Sequence, residues 1–455
     1  MPLALPKRSS FPSPSPYEAL GLTDLPFPNN PVVNPYSTDP RMNGSIYAAS
    51  TVRDAIDKFE RLLIRPHDFP NRVRLAYLWS KGDSESGRGV GKTALLRYFR
   101  QRINKDWGQS EFAGGFSAVV VYVSFPHQVD RRYIEQMAFS ALVDICRNGV
   151  LDASRAALRL RVMPDQQAMD VMANSDGTED PVNLLDDSRL KAAGGNPESV
   201  NALVVDTLVC EGVQKSVARP LAQGQLEEYL RSLRKDGNLE PYYVPYDTKV
   251  LDLSRTLLFN DLVCYLRSAG FAGGYLFIDD IENLVDQMAR RARIEFAKEF
   301  GLCTVRPGYA NTKYNFFSSV LTTHQQASAS LSVAWGEAGL AGIARLDPGS
   351  PNSVELPFPS NDQARDIIVA HLDYYRADPS MKGSISPFTP DGIDALLQNR
   401  QTVHPRVMLS RAAAVVGYAA EKQEGVIDAE MVNAACQPQV PLATPDFTEG
   451  VDGAS

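Results

Sequence analysis

The chain predicts an α/β fold, a parallel sheet flanked by helices, on three observations. The apolar run Leu75 to Trp79 leads through a glycine-rich turn into a helical pattern containing Ala94-Leu95-Leu96 and Tyr98-Phe99. Phe116 to Phe125 is a nearly continuous β-branched and aromatic run, as expected of a strand buried on both faces. Gly274-Tyr-Leu-Phe-Ile-Asp-Asp-Ile-Glu282 is a further apolar strand, ending in carboxylates where open α/β sheets place their ligand sites. Strands alternating with helices define the class.

Composition bounds the function. With 455 residues, 44% hydrophobic and 22% charged, the chain has the length of two or three domains, and disorder throughout is excluded. The formal net charge of -8 argues against a protein that coats nucleic acid, while leaving room for a local basic face. Five scattered cysteines without a C-x-x-C pair make structural zinc and a disulfide framework poor expectations. No segment approaches 18 uninterrupted apolar residues, and no apolar run follows Lys7 and Arg8, so a soluble, cytoplasmic protein with no membrane contact is expected.

Residues 1–40 hold ten prolines and are expected to form an extended arm, its segment Asn30 to Tyr36 lying across the core or acting as a plain linker. Thr51 to Ile64 has helical spacing, with Ser50 or Thr51 as N-cap. Residues 126–250 exceed what one crossover needs and read as a largely helical insertion within a core of residues 41–358. Tyr133 to Arg147 and Leu226 to Leu233 look helical, whereas Met172 to Pro197, rich in Asp, Asn, Gly and Ser, reads as a mobile loop. Helical patterns at 360–376, 390–399, 406–423 and from Asp428 predict a small all-α domain over 359–436, and 437–455 reads as a disordered tail.

The glycine turn carries the chemistry. Gly87, Gly89 and Gly91 let backbone N–H groups converge on phosphate oxygens, Lys92 can bridge terminal phosphates, and the Thr93 hydroxyl can ligate Mg²⁺. Arg88, Val90 and Ala94 complete the loop that would hold ATP, at the positive end of a helix. The pattern G-x-x-x-x-G-K-[ST] is met except at its first position, Ser86. On the acidic strand, Asp279 is placed to hold Mg²⁺ through water and Asp280 to polarise an attacking water, with the longer Glu282 as a substitute. The alternative is a solvated carboxylate pair at a strand end.

Together with the segment Phe388 to Arg411, which contains His404-Pro405-Arg406 at a helix start, these two motifs resemble the AAA+ ATPases, in particular their origin-recognition, transposition-regulator and STAND-like branches. The resemblance spans about residues 30 to 436, insertion excepted. It implies a P-loop NTPase core with a C-terminal helical lid, in which Arg406 is the sensor 2 arginine. It further implies that Thr322, Thr323 or His324 fills the sensor 1 place, Thr323 being preferred, and that Arg345 is an arginine finger completing a neighbour's site in a homo-oligomer. The run Arg290, Arg291, Arg293 and Lys298 reads better as a solvated helix face paired with Glu295 and Glu299 than as a phosphate-backbone track.

The function so implied is an ATP-driven switch whose nucleotide state controls self-assembly and engagement of DNA or a partner protein, as in transposition regulation or anti-phage defence. With 19 residues after the lid, no winged-helix DNA reader is expected there. A scaffold ATPase that gates a partner effector without DNA, with slow or no turnover, is the alternative; a small-molecule kinase fits less well because of the Pro405-Arg406 segment.

Overall fold

The computed structural model describes residues 15–29, 37–64, 73–82, 87–112, 116–125, 133–226, 254–398 and 404–436. The chain divides into two compact units, Val33–Phe358 and a second made of Met1–Val32 with Pro359–Ser455.

The larger unit is built on five parallel strands, β1 (Leu75–Ser80), β2 (Ala118–Ser124), β3 (Gly273–Asp279), β4 (Phe317–His324) and β5 (Ser353–Glu355). Their order is β2-β3-β4-β1-β5. Because side chains alternate along a strand, each sheet face has its own core. Ala76, Leu78, Val120, Tyr122, Tyr275, Phe277 and Val320 pack with α2 (Arg53–Phe59) and α3 (Lys92–Lys105), which follow α1 (Pro40–Asn43). Leu75, Tyr77, Val119, Val121, Val123, Leu276, Ile278 and Leu321 pack on the opposite face. That face is covered by α4 (Tyr133–Arg147), α5 (Val150–Val162), α8 (Pro197–Cys210), α9 (Lys215–Gln223) and α10 (Leu262–Ser268). The helices of the enlarged crossover are therefore part of the sheet's own core.

The expectation of a mobile loop over Met172 to Pro197 is corrected. After α6 (Asp165–Met172), a 3₁₀ turn (Pro181–Leu185) and α7 (Asp187–Ala192) close a small core containing Leu184, Leu190 and Val200. The polar residues that resemble loop composition are caps: Asp180, Asp186 and Asn196 each accept backbone N–H groups at the start of the next helix. Arg159, 2% exposed, fastens the segment by donating to Leu184 O at 2.8 Å, Asp187 at 3.0 Å and Asn201 at 3.0 Å. Residues 227–233 of the second helix expected in this insertion lie outside the described residues, as does 437–455.

In the larger unit the chain continues through α11 (Ile281–Gln287), α12 (Arg290–Thr304), α13 (Ala310–Tyr314) and α14 (Gln325–Glu337). The smaller unit consists of α15 (Asn361–Tyr374), α16 (Pro390–Leu396), α17 (Pro405–Lys422) and α18 (Ala429–Ala435), together with part of the N-terminal segment. Ser360 and Gln363 form a capping box on α15.

The extended arm expected over residues 1–40 is also corrected. Leu20, Leu22, Leu25 and Phe27 are buried among Ile368, Leu372 and Met408, and Glu18–Leu20 is a 3₁₀ turn. Thr23 N donates to Tyr375 O at 2.8 Å and Ala377 N to Gly21 O at 3.0 Å. Proline forbids helix here, but four large apolar side chains still drive burial. Residues 30–36, proposed to cross the core, lie outside the described residues.

Truncating Phe27, which is 0% exposed, to Ala should destabilise the smaller unit by about 3–5 kcal/mol. Hydrogen exchange should show faster opening of α15 and α17 with β1 to β4 unchanged; equal protection in α15 and α17 would rule the contact out as a source of stability.

Candidate functional site

Strand β1 ends at Ser80 and the described chain resumes at Gly87, with Ser86 outside it. Gly89 and Gly91 are left-handed, at φ 77° and 109°. A Cβ on Gly91 would meet Leu356 only at 3.8 Å, so glycine is required there by backbone conformation rather than by space. The loop delivers its N–H groups to the start of α3, whose 14 residues align their dipoles on the same point. Lys92 is 6% exposed; its Nζ donates to Ser80 Oγ at 3.0 Å and Gly87 O at 2.7 Å, and lies 3.9 Å from Glu282 Oε1. Arg88 Nη2 donates to Asn283 Oδ1 at 3.1 Å, and Asn283 Nδ2 donates to Phe125 O at 3.0 Å. The half-buried Thr93 is the second residue of α3, one place past Lys92.

The acids lie at the C-terminal edge of β3. Asp279 is buried and accepts three hydrogen bonds: from Tyr122 Oη, from Thr322 Oγ1 at 2.6 Å and from Asp280 N at 3.1 Å. Asp280 N is also 3.0 Å from Thr322 Oγ1, so this hydroxyl donates to one aspartate and accepts from the backbone of the next. Asp280 sits at φ 57°, a left-handed conformation that Asp tolerates better than most residues. Burial, reinforced by Asp279 and Glu282, pushes the Asp280 carboxyl well above the usual range, against the pull of Lys92 and Arg88. Burial likewise raises Glu282, with Lys92 opposing it.

Alternation decides which threonine meets the acids. Thr322 shares its face with Val320, Phe277 and Asp279, whereas Thr323 falls on the face of Leu321. Thr323 Oγ1 donates to His324 O at 3.2 Å and accepts from Ser328 Oγ at 3.4 Å. The structure therefore brings Thr322 to Asp279 in place of the preferred Thr323. His324 has a different use: its Nδ1 accepts Ala327 N at 3.2 Å and caps α14.

Arg345 lies in the segment between α14 and β5, eight residues before β5 begins. Its side chain is 66% exposed and 3.5 Å from Asp347, a pair worth little in water. The preceding Ala344 is anchored, its carbonyl accepting Tyr77 Oη at 2.8 Å while Trp335 Nε1 donates to Tyr77 at 2.7 Å. Arg406 is exposed, the second residue of α17 in the smaller unit. On α12, Arg291 pairs with Glu295 at 3.0 Å as expected of a solvated face, but Glu299 pairs with Arg255 at 2.9 Å rather than with this run, and Arg290 pairs with Glu337 at 3.0 Å.

Sequence reasoning missed the support behind the acids. The guanidinium carbons of Arg97 and Arg100 both lie 5.7 Å from the centroid of the buried Tyr122 ring. Arg100 pairs with Asp144 of α4 at 2.9 Å, and Asp144 accepts Tyr122 N at 2.9 Å. The available signal was parity, since Tyr122, two residues before the end of β2, and Asp279, the last residue of β3, share one face of neighbouring strands.

Chemically, the site joins an anion-binding loop to hard oxygen donors. Asp279, Asp280 and the Thr93 hydroxyl are donors of the type Mg²⁺ takes, and Glu282 Oε2 is buried without a hydrogen bond among the described residues. Among those residues no three His, Cys, Asp or Glu side chains form a metal cage. No protein-family model matches this sequence, and no curated protein matches it. Among the described residues no helix is long and apolar enough to cross a membrane.

Burial pushes the Asp144 carboxyl from 3.8 up to about 6, with Arg100 opposing. A raised carboxyl favours the folded state below the unfolded value, and that contribution is lost as pH rises through about 6, a swing of roughly 3 kcal/mol. Asp144→Asn should flatten the fall in unfolding free energy between about pH 4 and 6, measured by urea denaturation. The unpaired Arg100 lowers stability at every pH without changing the slope; an unchanged slope would sink the assignment.

Proposed function

We propose that the chain is an ATP-binding, ATP-hydrolysing switch of the AAA+ type. The observation that carries this is the convergence on one sheet face of Lys92, anchored to Ser80 at the end of β1, with the acids at the end of β3, Glu282 lying 3.9 Å away. A lysine already tied to the loop carbonyl of Gly87 can transfer its N–H bonds to phosphate oxygens without crossing water. Mg²⁺, when bound with nucleotide, would supply charge neutralisation between phosphates, held by Thr93 and, through water, by Asp279. Asp280 polarises the attacking water, and Glu282 balances Lys92 until phosphate replaces it. Thr322 stands beside that water's approach in the sensor 1 role.

The exposed Arg345, engaged only with the half-exposed Asp347, suits a finger offered to a neighbouring copy, so turnover depends on homo-oligomerisation. Arg406 serves from the helical lid. The assembled state would engage DNA or a protein effector.

Lys92→Ala should abolish ATP binding in calorimetry. Arg345→Ala should leave the dissociation constant within about twofold while reducing assembly-dependent turnover by about 10³-fold. Particle mass measured without nucleotide, with ADP and with a non-hydrolysable ATP analogue, each with and without duplex DNA, identifies the client class. Equal ATP affinity in wild type and Lys92→Ala would overturn the proposal, and turnover indifferent to DNA at every salt concentration would leave the protein-effector role in place of the DNA role.

A further inference from the structure

A tyrosine hydroxyl in the interior of a parallel sheet requires a partner, and the one given to Tyr122 is a carboxylate. Tyr122 is 2% exposed, on β2, and its register partner is Phe277 of β3, two residues before Asp279. The hydroxyl reaches along the sheet to Asp279 Oδ2, while Thr322, from β4 on the other side, donates to Oδ1 at 2.6 Å. The carboxylate is thereby gripped from both neighbouring strands, one oxygen each, which fixes its rotation.

The tyrosine is itself held. Its backbone N–H donates to Asp144, its ring lies 5.7 Å from both the Arg97 and Arg100 guanidinium carbons, and Arg100 closes the circuit by pairing with Asp144 at 2.9 Å. Arg97 is further tied to Met42 O at 2.8 Å. Two arginines 2% and 6% exposed, opposed locally by Asp144, turn a positive field toward Tyr122 and the acid beyond it. Filling a core gap would need only the ring; the hydroxyl contact, the field and the clamp on the backbone all act on Asp279.

We propose that Tyr122 is a positioning residue that, braced by Arg97, Arg100 and Asp144, sets the orientation of Asp279 and through it the affinity of the nucleotide complex for its divalent cation. This rests on the nucleotide-site reading above. Tyr122 contacts neither nucleotide nor cation; it acts through Asp279, as outer partners of metal ligands do.

The test uses the full chain with Tyr122→Phe and two measurements. Calorimetry with ADP in excess chelator reads the loop and Lys92 without any cation, and electron paramagnetic resonance titration of Mn²⁺ into the ADP complex reads Asp279. The expected result is ADP affinity within about twofold of wild type and Mn²⁺ affinity lower by about 10-fold or more. Unchanged Mn²⁺ affinity with ADP binding retained would overturn this inference alone. Loss of cation-free ADP binding in the variant would also overturn it, marking the hydroxyl as a fold requirement. Wild-type protein that binds no ADP would remove the nucleotide reading and this inference with it.

Discussion

Three carboxylates within four residues crowd the end of one strand, Asp279 and Glu282 buried and Asp280 partly exposed between them, and the rest of the site answers to that crowding. An unpaired buried charge costs several kcal/mol, so each acid needs its own device. Asp279 takes three donors, and a hydrogen bond to a charged group returns about 1.5–3 kcal/mol. Asp280, in a left-handed conformation, gives its N–H to Asp279 and Thr322, and its own carboxyl is pushed upward by burial and by its two acidic neighbours. Glu282 takes Lys92.

Parallel pairing makes this possible without long-range improvisation. Every strand of the sheet points the same way, so each contributes its last residues to one edge, and the register sets which of them share a face. Ser80, Tyr122, Asp279 and Thr322 all follow apolar residues of the α3-side core two positions earlier, Leu78, Val120, Phe277 and Val320. Their polar atoms therefore meet at the rim of the same packed layer. A one-residue slip of β4 would put Thr323 there and bury Thr322 on the wrong side.

What could be read in advance was what local spacing encodes. Gly87 to Thr93 and the strand ending in Asp279-Asp280 are contiguous, and their chemistry follows from residue type and order. The threonine could not be chosen, because assigning a face requires knowing which core lies on which side. Tyr122 was hidden for a related reason: inside Val119 to Val123 it counts as one more hydrophobe, and its hydroxyl matters only once β3 is beside it. At Asp180, Asp186 and Asn196 composition misled, since the residues that favour loops also start helices. In the N-terminal segment proline count outweighed four apolar side chains whose partners lie more than 300 positions away.

The enlarged crossover after β2 fits the same logic. A parallel sheet must be covered on both faces, because its strands present apolar side chains to each. Here α3 covers one face and is committed to the site, its first turn at the loop and Arg97 and Arg100 behind Tyr122. The other face, lined by Val119, Val121, Val123, Ile278 and Leu321, is covered by the extra helices. They replace the cover that a single crossover helix would give, and α6 and α7 close a small separate core with residues of α5 and α8. The chemical face and the elaborated face are thus opposite sides of the same strands, with Thr322 facing the acids and Thr323, one residue on, facing the other core.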